Sequence, residues 1–144
     1  MKGQAEVEIL SLAQSEELGV IPYTPLGDGL LTGKYSPDKS PEKGRIVNNK
    51  IYSLRYGEDW MFRVAAEFSE LAKILDVPPA ALAVAWVAKH PAITAPFIGA
   101  RNIDQLEESL KAVDIDMTDD LYDRILRISS KPPDATDRTE EITA

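Results

Sequence analysis

Apolar residues recur every three or four positions through the middle of the chain, which is the spacing of one face of an α-helix. In segment 59–75 these positions are Val64, Ala65, Phe68, Leu71, Ala72 and Leu75. The pattern predicts an amphipathic helix over 59–75, with its apolar stripe turned inward. Segment 80–89 is nearly all apolar and small, which favours a buried helix that starts at the Pro78-Pro79 pair. A third helical pattern covers 4–18, and we expect Gly19 to end it.

Two short apolar runs predict strands rather than helices. Val20 and Ile21 favour extended backbone, and the rings of Pro22 and Pro25 forbid a helix at that point. Segment 94–98 is the second predicted strand. The resulting order of helix, strand, two helices, strand and helices is typical of an α/β fold.

Capping signals place the last two helices. Asn102 followed three residues later by Gln105 has the form of a helix N-terminal cap, and this helix should run to about Ala112. Thr118 starts one more helix, because two acidic residues follow it in the first turn.

The segments between and after these elements differ in composition. Segment 36–49 is rich in Pro, Lys, Ser and Asn and has few apolar side chains, which predicts a solvent-exposed loop. Residues 131–144 lack apolar periodicity. We therefore divide the chain into one partial domain over 1–130 and a flexible C-terminal tail over 131–144.

Composition narrows the classes of function. With 24 acidic and 16 basic residues the net charge is −8, which disfavours binding to nucleic acid or to anionic membrane surfaces. The absence of cysteine rules out disulfides and thiolate metal sites, and it suits a cytoplasmic location. No apolar run approaches the ~20 residues that cross a bilayer, and Glu6 and Glu8 interrupt the N-terminal segment where a signal peptide would be apolar.

Two motifs carry a resemblance to a known family. Tyr23-Thr24-Pro25-Leu26-Gly27, followed by Gly29-Leu30-Leu31-Thr32-Gly33-Lys34-Tyr35, resembles the seventh strand and following loop of the aldo-keto reductases. Pro96-Phe97-Ile98-Gly99-Ala100-Arg101-Asn102 and the helix after it resemble the eighth strand and next helix of that family. Segment 77–86 looks like the family's penultimate helix, and the similarity covers roughly 5–117.

The resemblance implies the C-terminal portion of a (β/α)8 TIM barrel, helix-rich, with about two parallel strands and an incomplete barrel. It also implies NADP-dependent reduction of an aldehyde or ketone by hydride transfer. In the family this chemistry depends on an Asp, a Tyr, a Lys and a His on strands before the seventh. Those segments have no counterpart in this chain, so we expect it to contact the cofactor without carrying the catalytic residues, and whether it is an enzyme stays open.

The residues after the first strand match family positions around the nicotinamide and the pyrophosphate. The resemblance implies that the Tyr23 ring packs against nicotinamide, whereas the alternative is a core aromatic. Thr24, Leu26, Asp28 and Lys34 lie in the loop that would hold the pyrophosphate. A carboxylate repels a pyrophosphate, so Asp28 must turn away or pair with Lys34. The alternative for Lys34 is an ordinary solvated lysine.

The residues at the end of the second predicted strand and in the helix after it match family positions for the adenosine and its 2′-phosphate. Arg101 and Asn102 lie where the 2′-phosphate of NADP binds. Gln105, Glu108 and Ser109 match positions around the adenine. Many members carry a second positive charge where this chain has Gly99 and Gln105, so NAD is not excluded. Capping of the helix by itself also explains Asn102 with Gln105.

The sequence gives no reason to assign a catalytic role to His90, the single histidine. His90 follows an apolar helix, precedes Pro91 and matches no family catalytic position. A helix C-terminus also favours a partly positive side chain. We expect a structural role for His90, and no set of residues has the spacing of a metal site.

Two functions of different classes remain open. One is the cofactor-binding part of an NADP-dependent carbonyl reductase, whose partners are NADP(H) and a small carbonyl substrate. The other is a non-catalytic truncated module that persists by association with itself or a partner chain. Two strands leave sheet edges open, so we expect the apolar faces of 80–87 and 97–98 to be bared to water. Whether the reading frame continues upstream with the absent strands would distinguish the two.

Overall fold

The computed structural model describes residues 4–129, which fold mainly into helices. These are α1 (Gln4–Val7), α2 (Ile9–Ser15), α3 (Arg45–Asn48), α4 (Lys50–Tyr56), α5 (Asp59–Ile74), α6 (Pro79–Lys89), α7 (Ile103–Leu110) and α8 (Asp119–Leu126). Two 3-10 turns lie at Gly27–Gly29 and Lys111–Asp114. The helix-rich character expected from the sequence is therefore present, and the predicted tail over 131–144 lies outside the described residues.

The two predicted strands meet at a single parallel bridge, between Tyr23 and Phe97. The Thr94 N–H donates to the Val20 carbonyl at 2.9 Å, and the Phe97 N–H donates to the Pro22 carbonyl at 2.8 Å. The segments are therefore paired and parallel, but no multi-residue strand forms within residues 4–129. Proline supplies no N–H to a ladder, which limits how far this pairing extends.

The larger hydrophobic core lies between α5, α6 and α8. Its buried members are Phe68, Leu71, Ala72, Leu82, Ala83, Ala85, Met117 and Ile125. The predicted helices over 59–75 and from Pro79 onward are confirmed almost to the residue. The expectation that face 80–87 is bared is wrong, since 80–85 are buried against this core. Phe97 is exposed, as expected.

A second core lies beneath the segment that the sequence predicted to be an exposed loop. Its buried members are Leu30, Tyr35, Ile46, Tyr56, Met61 and Ala65. Within 36–49 the backbone forms α3, and Gly44 lies so close to the Tyr35 hydroxyl that a side chain there would collide with it. The prediction of a loop is therefore wrong for 45–48, where α3 forms and Ile46 anchors it to the core, whereas the predicted exposure is confirmed for most of the segment, including 37–40.

Residues with positive φ end two helices. The predicted helix over 4–18 is broken at Glu8 and ends at Ser15, and Glu17 then takes a φ of 53°. Gly19 therefore does not end it, contrary to the prediction. Asp76, with a φ of 54°, lies just after α5 in the same way. These left-handed positions close the last helical turn by hydrogen bonds to carbonyls one turn back.

Both predicted N-terminal caps are present. The Asn102 Oδ1 atom accepts the Gln105 N–H at 3.0 Å at the start of α7. The Thr118 Oγ1 atom accepts the Leu121 N–H at 3.2 Å at the start of α8. Each bond satisfies a backbone donor that has no partner inside the helix.

Among residues 4–129, no individual helix has both the length and the apolar character needed to cross a membrane. Only α5 and α6 taken together do, and the chain bends by 98° between them.

Candidate cofactor site

Tyr23 and Phe97 stand next to each other at the parallel bridge with their rings open to solvent. Tyr23 is 73% exposed and Phe97 is 66% exposed. The alternative of a core aromatic is therefore wrong for Tyr23 in the described chain. An aromatic ring that is free on one face can stack on a flat ligand ring.

The loop after Tyr23 is a compact series of turns. Thr24 takes a φ of 53°, and its carbonyl accepts the Gly27 N–H at 2.9 Å. The Leu26 carbonyl accepts the N–H groups of Gly29 and Leu31, each at 3.1 Å. The Leu26 side chain packs against the larger core. Leu26 can thus present backbone to a ligand, while its side chain holds the loop in place.

Asp28 turns into the protein rather than toward the loop surface. Its side chain is 2% exposed, and Oδ1 lies 3.3 Å from Nη1 of Arg45. Burial raises the pKa of Tyr56, and the neighbouring Asp28 carboxylate raises it further. Of the two arrangements expected from the sequence, Asp28 adopts the first: it turns away, and its ionic partner is Arg45 instead of Lys34.

Two arginine side chains, Arg101 and Arg45, lie within electrostatic reach of Lys34 in this loop. Burial lowers the pKa of Lys34, and the charges of Arg101 and Arg45 lower it further. The Lys34 Nζ atom also lies 5.7 Å from the centroid of the Tyr35 ring. Neither Lys34 nor Arg101 forms an ion pair with another residue of the described part. A group of cations with two unpaired members is suited to hold a polyanion.

The start of α7 lies next to this group. The Arg101 N–H donates to Gln105 Oε1 at 3.1 Å, while Asn102 caps the helix. Gly99 has open space where a side chain would project. Capping therefore occupies the side-chain oxygens of Asn102 and Gln105, and Arg101 itself is exposed.

Glu108 and Ser109, the last two residues predicted to contact the cofactor, differ in burial. Glu108 is exposed on α7. Ser109 is buried, and its hydroxyl donates to the Gln105 carbonyl at 2.9 Å. In this conformation Ser109 stabilises the helix, so a contact between Ser109 and adenine stays a prediction.

The sequence-based analysis missed Arg45, Tyr52 and Tyr56. The Arg45 and Arg55 guanidinium groups each lie 5.9 Å from the centroid of the Tyr52 ring. A signal was present, since residues 43–57 contain four basic side chains and no acidic one in a chain of net charge −8.

A cavity of about 480 Å³ opens beside the loop. Its lining includes the aromatic side chains of Tyr23, Tyr56, Phe68 and Trp86. Arg55 is the basic residue in this lining, whereas Lys34, Arg45 and Arg101 lie outside it. The cavity therefore offers a mostly apolar hollow next to the exposed ring of Tyr23, and the cation group is a separate feature of the same loop region.

His90 has a structural role at a position away from this site. Its Nδ1 atom accepts the Ala92 N–H at 3.1 Å in the turn after α6. Over residues 4–129, no three His, Cys, Asp or Glu side chains converge as metal ligands would.

Comparison with protein families identifies the family of the chain. Residues 2–130 match the model of the aldo/keto reductase family. The chain therefore belongs to the aldo/keto reductase family, whose fold is a (β/α)8 barrel.

Relatives include oxidoreductases and channel subunits. The chain is 33% identical over 117 residues to the uncharacterized oxidoreductase YrpG of Bacillus subtilis, covering 78% of this chain and 32% of that protein. It is 34% identical over 134 residues to a probable voltage-gated potassium channel subunit beta of Arabidopsis thaliana, covering 90% and 41%. It is 28% identical to protein tas of Escherichia coli, covering 83% and 34%. The chain thus spans about a third to two fifths of the length of these relatives.

Proposed function

We propose that this chain forms the cofactor-binding end of a cytoplasmic, NADP-dependent aldo-keto reductase that reduces aldehydes or ketones by hydride transfer. The observation that supports this most strongly is that Arg45 and Arg101 both act on Lys34, in the loop that follows the exposed ring of Tyr23 along the chain. Family membership supplies the reaction class. The cofactor, when bound, supplies the hydride.

Each part of the site has a distinct role in this proposal. Arg101 grips the 2′-phosphate through two charge-assisted hydrogen bonds. Lys34 and Arg45 hold the pyrophosphate, and Asp28 does not repel it because Arg45 neutralises the buried carboxylate. Tyr23 stacks on the nicotinamide. The absence of a second cation near Gly99 and Gln105 makes the preference for NADP over NAD depend on Arg101.

We further propose that the chain without other polypeptide has no reductase activity. Cofactor binding does not supply the proton donor that polarises a carbonyl, and the residues that match the family in this chain are cofactor contacts. The pKa of Tyr56 is raised and that of Lys34 is lowered, and burial, followed by neighbouring charges, accounts for both shifts. The proposal assigns no catalytic role to either residue.

Fluorescence titration of the full chain with NADPH tests the binding proposal. We expect saturable binding that Arg101→Ala weakens, while Arg63→Ala, on the exposed side of α5, leaves it unchanged. A parallel assay follows NADPH oxidation with aldehyde substrates and should remain at background. Absence of binding, or steady NADPH oxidation that is lost on mutating a residue of this chain, would contradict the proposal.

The alternative function is a non-catalytic module that persists through association with itself or a partner chain. The exposed side chains of Ile21, Tyr23 and Phe97 at the parallel bridge favour association. Association and cofactor binding are compatible, so each has its own measurement: sedimentation of the chain tests association, and the NADPH titration tests binding.

A further inference from the structure

Two helices of this chain carry pairs of apolar side chains that are exposed to solvent in the described residues. Ile51 and Leu54 lie three residues apart on one face of α4, and Ile103 and Leu106 do so on α7. Ile51, Leu54 and Ile103 are each at least 66% exposed, and Leu106 is 40% exposed. Isolated exposed apolar residues are ordinary, but pairs at helical spacing form stripes.

The two stripes have opposite charge. Residues 43–57, around the first stripe, include four basic side chains and no acidic one. Residues 103–114, around the second stripe, include four acidic side chains and one basic. Lys50 lies one turn from Leu54, and Glu107 lies one turn from Ile103. Neither Lys50 nor Glu107 forms an ion pair with another described residue.

The spacing of the two stripes is complementary when the helices run antiparallel. Placing Ile51 against Leu106 also places Leu54 against Ile103, because both pairs are separated by three residues. The same register brings Lys50 opposite Glu107. One alignment therefore satisfies two apolar contacts and one ion pair at the same time.

We propose that a second copy of this chain covers these surfaces, with α4 of each copy packed antiparallel on α7 of the other around a two-fold axis. Two such contacts are needed, because one pair of short helices buries much less than the ~1,200 Å² typical of stable interfaces. Both helices follow a member of the cation group along the chain, since Arg45 precedes α4 and Arg101 precedes α7. A reciprocal dimer therefore joins the two molecules beside their candidate cofactor sites.

Sedimentation velocity of the full chain across a wide range of concentration tests this inference, which rests on the self-association proposed above and not on cofactor binding. We expect a monomer–dimer equilibrium. Ile51→Asp and Ile103→Asp should each weaken dimerisation by about tenfold or more. Ile74→Asp, at an exposed apolar position at the end of α5, is the matched control and should leave the equilibrium unchanged. Circular dichroism of each variant verifies that its helices are retained.

Charge reversal at the proposed ion pair provides a second test, which does not depend on whether the apolar variants fold. Lys50→Glu and Glu107→Lys should each weaken the dimer about two- to fivefold, as expected for exposed ion pairs. The double variant Lys50→Glu with Glu107→Lys should regain the wild-type dissociation constant. A chain that stays monomeric would overturn both this inference and the proposed association. Assembly that is insensitive to these substitutions, or that is lost instead on Phe97→Asp, would overturn only the assigned surface.

Discussion

Arg45 Nη1 lies 3.3 Å from Asp28 Oδ1, so one ion pair joins the loop after Tyr23 to the start of α3. The carboxylate is almost fully buried, whereas more than half of the Arg45 side chain is exposed. Asp28 also takes a φ of 54°, a left-handed conformation that aspartate tolerates better than most residues. The ion pair therefore links the loop after Tyr23, which is the candidate site for the pyrophosphate, to the second core.

Breaking this pair should destabilise the chain. Arg45→Ala leaves a buried carboxylate without its cation, and we expect a loss of about 1–3 kcal/mol, toward the low end because water already reaches the guanidinium. Arg63→Ala is the control. Thermal unfolding at one fixed protein concentration measures the difference, and equal midpoints for the two variants would show that the ion pair contributes nothing.

Asp28→Asn should lower the pKa of Tyr56. Burial is the main reason that this pKa is raised, and the Asp28 carboxylate is the next. Removing the negative charge eliminates the second cause and leaves the first. Ultraviolet titration of tyrosinate, compared with a Tyr56→Phe variant to isolate this residue, measures the shift. An unchanged pKa would mean that the carboxylate does not act on Tyr56.

The lowered pKa of Lys34 makes stability depend on pH with a definite sign. The unfolded chain retains the lysine proton up to about its ordinary pKa of 10.5, whereas the folded chain loses it earlier. The unfolded state thus binds more protons between these values, and the contribution of Lys34 to stability rises with pH through that window. The difference in unfolding midpoint between wild type and Lys34→Met should display this trend. Arg101→Ala should raise the lower edge of this window and so narrow it, because it removes a nearby like charge in the folded chain. A lower edge that stays in place would contradict this source of the shift.

The two cofactor contacts should respond differently to substitution. Arg101→Ala should weaken NADPH far more than NADH, by about tenfold or more in dissociation constant, because the 2′-phosphate adds about −1.5 to −2 charges. Tyr23→Ala should weaken both cofactors alike, because stacking on nicotinamide does not sense that phosphate. Parallel titrations with NADPH and NADH measure both ratios. Equal losses for the two cofactors on removing Arg101 would show that it does not select NADP.

The larger core should account for much of the stability. Leu82 is fully buried between α5 and α8, and Leu82→Ala should cost about 2–5 kcal/mol. Ile74→Ala, at an exposed position of α5, should change stability by about 0.5 kcal/mol or less. Denaturant unfolding at equal protein concentration compares them, and similar costs would mean that this core is not formed as described.

Local sequence predicted the elements that local interactions define. The apolar spacing of 59–75, the proline at the start of α6 and the hydroxyl or amide caps at Thr118 and Asn102 all act within one or two helical turns. Each of these predictions is confirmed. The family was likewise identifiable, because its two motifs are continuous runs of residues.

Tertiary contacts decided the features that the sequence-based analysis missed or mispredicted. Ile46 anchors a short helix in a polar segment by packing in one core with Tyr35 and Tyr56, and Arg45 pairs with Asp28 at a separation of 17 residues. The parallel bridge depends on the Val20 N–H meeting the Thr94 hydroxyl, 74 residues away. Burial and charge pairing depend on which distant groups the fold brings together, and no pattern of neighbouring residues records that.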